Sequence, residues 1–451
     1  MSNKLLTIRE FDTILPNVNF EDKEAGIHYL KPKYFKELDD FIKNQTETDE
    51  EGNPLEVLKG QTIKGKGYAI KARNHVGLIQ LESGYQIQIL PKIDLVFEDE
   101  NERKTEHIFI DMLKTMKDFP GKIFSSAHLK TESMSLYEIF INLYVTQISQ
   151  LTRKGLKSAY IPKEDNLNVF KGKLLLNQHL KKNIGHAERF YVQYDEYQLN
   201  RPENKLIKST LLKLQKISTS SNNVKMIRQQ LVYFELIDAS KNYESDFSKV
   251  TIDRTTKDYE DILAWSKVFL LNKSFSTFSG DSKATALLFP MEKIFETYVS
   301  LYIENIFRTH RYEVSCQDRG HYLLSEGKRK IFALRPDIVL TDENGQKTII
   351  DLKWKRLMNK PEKNYGISQA DMYQMYAYSK KYKAKNVWVL YPMVNELKDR
   401  MIQFQEEETN ISIYFVDVAN IENSLFMLLE KINVAREIDE WNKDPFESEK
   451  R

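Results

Sequence analysis

The 451-residue sequence predicts a multidomain α+β protein, on three observations. Short β-rich runs joined by Gly or Asn turns mark residues 1–105. Helical periods dominate residues 106–280. Over residues 281–451 the order is helix, two or three strands including a hairpin, helix, strand, which is the pattern of an α/β sheet layered with helices.

In the first region, residues 68–72, 76–81 and 85–90 read as strands, and the polar, acidic stretch 45–53 reads as an exposed loop. The run Gly60-Gln61-Thr62-Ile63-Lys64-Gly65-Lys66-Gly67 nearly spells a nucleotide-phosphate loop. Three features count against it. Gly67 stands where a Ser or Thr hydroxyl would bind magnesium, no apolar strand precedes Gly60, and a strand-like run follows where a helix N-terminus is needed. No nucleotide is therefore expected on this chain. Two readings of the run remain, a flexible basic hairpin that inserts into a partner and an ordinary surface turn.

In the middle region, residues 108–116, 136–151 and 204–214 are the clearest amphipathic helices. Residues 218–223, made only of Ser, Thr and Asn, read as a loop. So do residues 274–281, a natural boundary before the last region.

The last region opens with a helix over 290–307, with Pro290 in its first turn and Met291, Ile294, Phe295, Tyr298 and Tyr302 at helical spacing. Glu292 and Glu296 lie one turn apart beside that stripe. Farther on, Ser368 and Asp371 have the spacing of a capping box, and Ile367 can staple against Met372. The helix they open carries Asp371, Gln374 and Tyr378 on one face. Residues 387–391 and 411–416 read as buried strands, and 422–436 as a closing helix before a charged tail.

The chemistry concentrates between Arg335 and Arg356. Arg335-Pro336-Asp337-Ile338-Val339-Leu340 is followed by a turn at Asp342-Glu343-Asn344-Gly345, then by Ile349-Ile350-Asp351-Leu352-Lys353-Trp354-Lys355-Arg356. Asn-Gly between apolar runs signals a hairpin. An odd loop centred on Asn344 sets Asp337 directly opposite Asp351, with Cβ atoms roughly 4.5–5.5 Å apart, close enough to share an ion. A two-residue loop would set them on opposite faces. The period of two places Asp351, Lys353 and Lys355 on one face, and Ile350, Leu352 and Trp354 on the other. A surface hairpin with merely solvated charges is the bland alternative. Both aspartates lie in apolar runs, where an unpaired carboxylate is costly, so a shared cation or a base partner is favoured. Carboxylates of this kind bind a hard divalent cation, and the lysine can orient or polarise an attacking water, as metal-dependent phosphodiester cleavage requires.

Composition bounds the rest. The chain is 41% hydrophobic and 12% aromatic, enough for sizeable cores, and no apolar run is long enough to span a membrane. No secretory leader is evident, and the single cysteine, Cys316, excludes an internal disulfide framework; both fit a cytoplasmic protein. With one cysteine and eight scattered histidines, a structural zinc site is not expected. A formal charge of +2 excludes a strongly basic DNA-coating protein, leaving local clusters at 328–330, 353–356 and 380–385 to meet phosphates or simply to face solvent.

Phe295-Glu296, Pro336-Asp337, Asp351-x-Lys353 and Gln374-x-x-x-Tyr378, in that order, resemble the core of PD-(D/E)XK nucleases of the branch with a Gln-x-x-x-Tyr motif. More of the chain is similar to the McrC family, the nuclease subunits of McrBC-type restriction systems. The matching segments are Gly84 to Ile93, Arg153-Lys154-Gly155-Leu156, Phe170-Lys171-Gly172-Lys173-Leu174, Tyr194 to Tyr197 and Asn204 to Lys208. Lys171 stands where that family often has Arg, so a contact needing a forked donor is not carried over. The resemblance implies a C-terminal PD-(D/E)XK endonuclease domain over 281–451. It also implies catalysis by Asp337, Asp351 and Lys353, and Mg²⁺ (with Mn²⁺ able to substitute) on Glu296, Asp337 and Asp351. The match at Phe295-Glu296 favours Glu296 over Glu292. Gln374, Tyr378, Lys355 and Arg356 are expected to support the site or contact double-stranded DNA. The partner implied is a hexameric AAA+ GTPase, which this chain would dock on and stimulate. The β-rich region 1–105 is the expected docking module, with Lys64, Lys66 and Arg73 as candidate contacts, and its removal is expected to leave a folded nuclease domain. A repair or recombination nuclease with the same core, or a non-catalytic activator of the AAA+ partner, are the alternatives.

Overall fold

The computed structural model describes residues 5–43, 57–93, 101–116, 135–271 and 285–441, apart from the single positions 255, 328, 399 and 407. The expected loop at 45–53, the boundary at 274–281 and the charged tail beyond 441 lie outside the described residues.

Two four-stranded sheets form the N-terminal region. One runs in the order Ile27–Tyr29, Thr13–Leu15, Gly67–Ala72, Leu58–Ile63. The helix Pro32–Lys43 lends Phe35, Leu38 and Phe41 to the core beneath it. The other runs Leu5–Arg9, Gln86–Leu90, His75–Gln80, Thr285–Pro290. Its last strand lies beyond the expected boundary, at the start of the region read as a nuclease domain. Leu287, Leu288 and Phe289 are at most 2% exposed. Burying them stabilises the seam by roughly 1.5–3 kcal/mol each. Gly77 makes the approach possible: with φ +135°, a Cβ there would lie 1.9 Å from the Leu287 carbonyl oxygen. Deleting residues 1–105 would strip this strand of its partner, which bears directly on the expectation that the truncation leaves a folded C-terminal domain.

Helices dominate the middle region as expected, with Leu136–Lys154 and Pro202–Ile217 containing two of the predicted runs and Asn101–Thr115 covering the third up to its last residue. Two corrections apply. Residues 218–223 are not simply a loop, because Ser220 caps the helix Ser221–Tyr233. The buried Glu138 carboxylate fixes that entry, accepting from Ser218 Oγ at 2.8 Å, Thr219 N at 2.6 Å and Asn223 Nδ2 at 2.7 Å. The region also holds a three-stranded sheet, ordered Ala159–Leu167, Phe190–Gln198, Lys173–Leu174. Ala159–Leu167 contains Pro162 and a charged run, and Tyr160 and Tyr197 are exposed, so the usual apolar alternation of a strand is missing.

The C-terminal region is a six-stranded sheet in the order Glu313–Cys316, Ile338–Thr341, Lys347–Leu352, Asn386–Pro392, Thr409–Val416, Ile402–Glu406. The first two pairings and the last are antiparallel, and the two between are parallel. One face, carrying Ile338, Leu340, Ile350, Leu352 and Trp354, packs in a core shared with helices Met291–Thr309 and Ile421–Trp441. That core continues through the middle helices. The other face, with Val339, Ile349, Val387 and Val389, packs on the helix Gln369–Tyr382. Ser368 caps that helix, accepting from Asp371 N at 3.1 Å, and Ile367 and Met372 join its core as the sequence pattern anticipates. An exposed hairpin, Tyr322–Glu326 with Arg329–Ala333, is an addition the sequence reading lacked. The whole is a mixed α/β protein with several sheets.

Candidate functional site

Register decides the geometry of the hairpin. Thr341 pairs with Lys347 and Ile338 with Ile350, so the ladder is centred on Asn344 and its next step faces Asp337 with Asp351. The odd-loop condition is met because Asp342 organises the turn, its Oδ1 accepting from Asn344 N at 2.9 Å and Gln346 N at 2.8 Å.

Asp351 is 1% exposed at the end of a central strand, flanked by Ile350 and Leu352. Lys353 is half-buried, its Nζ 2.9 Å from Asp351 Oδ2 and 3.3 Å from Gln374 Oε1. Gln374 is held in turn, since its Nε2 donates to Tyr378 Oη at 2.7 Å and that hydroxyl donates to the Arg335 carbonyl at 3.0 Å. The Gln-x-x-x-Tyr pair thus links the lysine on one strand to the residues leading into Asp337. Asp337 Oδ2 accepts from Leu352 N at 2.7 Å, tying the first aspartate to the strand of the second.

Glu296 arrives from the helix Met291–Thr309. The Gln317 Nε2 group donates both to Glu296 Oε1 and, at 3.1 Å, to Asp337 Oδ1. Gln317 has φ +52° and its backbone N–H donates to the Asp337 carbonyl at 2.8 Å, so its placement is set by the backbone as well. Sequence reasoning did not find Gln317. Its only sequence signal is its position just past the edge strand Glu313–Cys316. Glu292, one turn before Glu296, faces elsewhere and accepts from Asn74 Nδ2 of the N-terminal region at 3.2 Å.

The electrostatics follow from burial and crowding. Burial pushes Asp351 up to about 7, with the Asp337 charge adding to it and Lys353 opposing. Burial also lifts Asp337 to about 6, aided by Glu296. Glu296 itself is raised, by burial first, with the Gln317 hydrogen bond opposing and the Asp351 charge adding to it. For Lys353 burial works against the charge, but Asp351 and Asp337 outweigh it and its pKa ends above the usual lysine value. Three acids and one base therefore share a site in which negative charge is under-compensated. Oxygen donors in that state suit a hard divalent cation. As the side chains stand, no group of three or more His, Cys, Asp or Glu among the described residues is gathered tightly enough to hold an ion. The Gln317 amide lies between Glu296 and Asp337.

Of the other expected residues, Lys355 and Arg356 sit on the exposed segment beyond the strand end, outside the acid cluster. Lys64, Lys66 and Arg73 lie far along the chain, on and beside the hairpin of Leu58–Ile63 with Gly67–Ala72. No helix among the described residues is long and apolar enough to cross a membrane.

A family model described as "McrBC 5-methylcytosine restriction system component" matches residues 70–392. No curated protein matches the chain. Among solved structures, one described as a refined half-complex from a tetradecameric assembly of Thermococcus gammatolerans McrB AAA+ hexamers with bound McrC superposes with a TM-score of 0.67. Identity is 18%, over 95% of this chain and 100% of that one, so the likeness is one of fold. The cryo-EM structure of the Thermococcus gammatolerans McrBC complex matches at a TM-score of 0.45 and 21% identity, over 67% of this chain and 87% of that one.

Proposed function

The chain belongs to the McrBC 5-methylcytosine restriction system component family, and from that premise we propose that it is the DNA-cutting subunit, a Mg²⁺-dependent endonuclease of the PD-(D/E)XK type. The observation that carries this reading is the register that faces Asp337 with Asp351, with the Lys353 ammonium 2.9 Å from Asp351. Family membership alone would also fit a subunit that only activates a partner. A buried acid pair costs stability, and a chain that only activates has no use for it.

Asp337 and Asp351 would hold the ion, a number of protein carboxylates that suits Mg²⁺, which keeps several of its waters. Glu296 would join them once the Gln317 amide releases it. When bound, the ion supplies Lewis-acid polarisation of the phosphoryl group and neutralises charge as it develops. The residues do the rest. Lys353, steadied by Asp351 and Gln374, donates to the attacking water and meets negative charge on the scissile phosphate. Tyr378 and Gln374 keep that lysine aimed, and the Asp337–Leu352 hydrogen bond keeps the two aspartates in register. Lys355 and Arg356, exposed beside the site, would meet backbone phosphates of double-stranded DNA. The fold likeness to a chain described as bound to AAA+ hexamers supports an AAA+ ring as the partner, and the family resemblance implies that this ring is a GTPase which recognises modified DNA and is stimulated by this subunit.

The test is to purify the chain with the AAA+ GTPase encoded beside it and incubate both with methylated and unmethylated plasmid. GTP- and Mg²⁺-dependent cutting of the modified plasmid alone is expected. Stimulated GTP hydrolysis with no cutting of either plasmid would assign the chain as an activator instead.

A further inference from the structure

The sequence places Glu10 and Trp354 344 residues apart, yet the fold brings them into contact. Glu10 follows the strand Leu5–Arg9 and is 0% exposed. Both of its carboxyl oxygens accept from the Trp354 indole, Nε1 lying 3.1 Å from Oε1 and 3.0 Å from Oε2. Oε2 also accepts from Lys92 N at 3.1 Å, and the Glu10 backbone N–H donates to the Leu90 carbonyl at 3.0 Å. The carboxyl is therefore fastened to the N-terminal sheet on one side and to the C-terminal sheet on the other.

Trp354 is the residue after Lys353. It is 8% exposed, and its ring packs against Phe295, with centroids 5.3 Å apart and planes at 54°. Phe295 is the residue before Glu296. Successive residues of an extended segment point to opposite faces, so a Trp354 side chain fixed in one core holds Lys353 toward the acid cluster on the other. The regular strand ends at Leu352, and among its backbone groups Lys353 keeps the hydrogen bond from its N–H to the Leu390 carbonyl at 2.9 Å. Beyond that point Lys355 N donates to the Lys353 carbonyl at 3.0 Å, and the indole is the first buried side chain to anchor the segment, ahead of Leu357. Burial pushes the Glu10 carboxyl up to about 8, against the pull of the Lys92 and Trp354 donors. A seam between two sheets can be filled by apolar side chains without that burden.

We propose that Glu10 is a positioning residue for the cleavage site, acting through Trp354 to hold Lys353 in place. The inference rests on the assignment of Lys353 to DNA cleavage made above. Through this contact the N-terminal region reaches the chemistry directly, and a displacement of Leu5–Arg9 by a docked partner would be felt at the lysine.

The experiment compares the wild-type chain with Glu10→Leu, Glu10→Gln, Trp354→Phe and the double variant Glu10→Leu/Trp354→Phe, each full length and assembled with the AAA+ GTPase. Thermal melting, GTPase stimulation, and kcat and KM for modified DNA are measured. A displacement of about 1 Å in a reacting group lowers rate by up to roughly 100-fold. Glu10→Leu is expected to lower kcat by about 10- to 100-fold with KM and GTPase stimulation unchanged. Glu10→Gln, which keeps an acceptor for the indole, should restore most of that rate. The double variant should cut no more slowly than Trp354→Phe, because the two residues act in series. Should Glu10→Leu fail to fold, Trp354→Phe, which keeps a buried ring and loses only the N–H donor, carries the same test. Wild-type kcat in a folded Glu10→Leu or Trp354→Phe would overturn the proposal. So would a loss of cutting matched by an equal loss of GTPase stimulation, which marks a folding or docking defect. Asp351→Ala serves as the control: if it still cuts, the cleavage assignment falls, whatever Glu10 does.

Discussion

The hairpin carrying the two aspartates and the hairpin at Lys64 both have lysines beside a glycine turn, and they are built to opposite ends. In the one formed by Ile338–Thr341 and Lys347–Leu352, the turn is closed by Asp342 and both strands are covered by helices, one on each face. Its acidic residues are consequently pressed together, and their pKa values rise. In the one formed by Leu58–Ile63 and Gly67–Ala72, Lys64 and Gly65 are exposed, and a Cβ at Gly65 or Gly67 would meet nothing within 4 Å. Gly60, the first glycine of its near phosphate-loop sequence, is instead packed beneath Tyr68, whose hydroxyl donates to Asp39 at 2.7 Å. The glycines with positive φ there, at +78° and +88°, serve a tight turn between antiparallel strands, where a phosphate loop would lead into a helix N-terminus. Residue types alone make both hairpins look functional. Burial and register set one of them apart as the candidate site.

The strongest way to break this comparison is to remove the buried acid. Asp351→Ala should lower GTP-dependent DNA cutting by on the order of 10³-fold or more, the scale for a group whose interaction matters only in the transition state. Partner-stimulated GTP hydrolysis should persist, since the candidate partner contacts are Lys64, Lys66 and Arg73 and Asp351 is buried in the C-terminal sheet. Plasmid cutting and phosphate release measured on the same samples would decide it. Cutting that survives would show that burial in the C-terminal hairpin is structural.

Next in size is the brace. Gln374→Ala removes the acceptor 3.3 Å from Lys353 Nζ and the donor to Tyr378. Loss of a partner that orients a catalytic group typically costs 10- to 100-fold, and a fall of about that size in kcat is expected, with DNA affinity nearly intact. A defect seen only in KM would move Gln374 from bracing the lysine to contacting DNA.

These residues also show what a single sequence can and cannot reveal. The odd loop centred on Asn344 was one of two registers the sequence left open, decided by the hydrogen bonds of Asp342, while the hairpin itself was legible in its Asn-Gly turn. So were the Ser368 cap, the helix carrying Glu296 and the buried strand at 386–392, each written in turn chemistry or periodicity. Gln317 was not legible. Its importance comes from a left-handed backbone and two partners 20 and 21 residues away, and a neutral amide carries no pattern. Glu10 and Trp354 were hidden by a separation of 344 residues. The sheet built on Ala159–Leu167 was missed because its side chains are largely exposed and polar, leaving no alternation to read. Thr285–Pro290 looked like the start of a new domain because sequence order gives no hint that Gly77 leaves room for it beside His75–Gln80.

A smaller effect sharpens the comparison through pH. Asp351 is an acid whose folded pKa, about 7, lies above its ordinary value of 3.8, so the folded chain binds its proton more tightly than the unfolded chain. That contribution to stability is complete below about pH 4 and is lost as pH rises through 7. Asp351→Asn cannot ionise and escapes the loss. Without divalent ions it should be more stable than wild type at pH 8 by about 1–2 kcal/mol, with the gap closing toward pH 4. Denaturant melts at both pH values would test this. Equal stability at pH 8 would mean that Lys353 compensates the buried charge fully.

The exposed hairpin should give the smallest response, and its size separates the two readings of that hairpin. Lys64→Ala with Lys66→Ala should shift folding stability by under about 0.5 kcal/mol, as surface substitutions do. If the two lysines only steer or rim a contact with the GTPase ring, affinity should fall by a few-fold, since exposed pairs are worth about 0.2–1 kcal/mol each. That loss should fade as salt rises and screens them. If the loop inserts into the partner and its charges are desolvated there, the loss should be much larger, about 100-fold, and should persist at high salt. Binding of the full-length chain to the ring at low and high ionic strength distinguishes these cases. The docking expectation predicts at least the salt-sensitive loss. Unchanged binding at both would make 64–66 an ordinary surface turn, and would shift the docking surface to the sheet of Ala159–Leu167 and Phe190–Gln198, where Tyr160, Phe170 and Tyr197 are exposed.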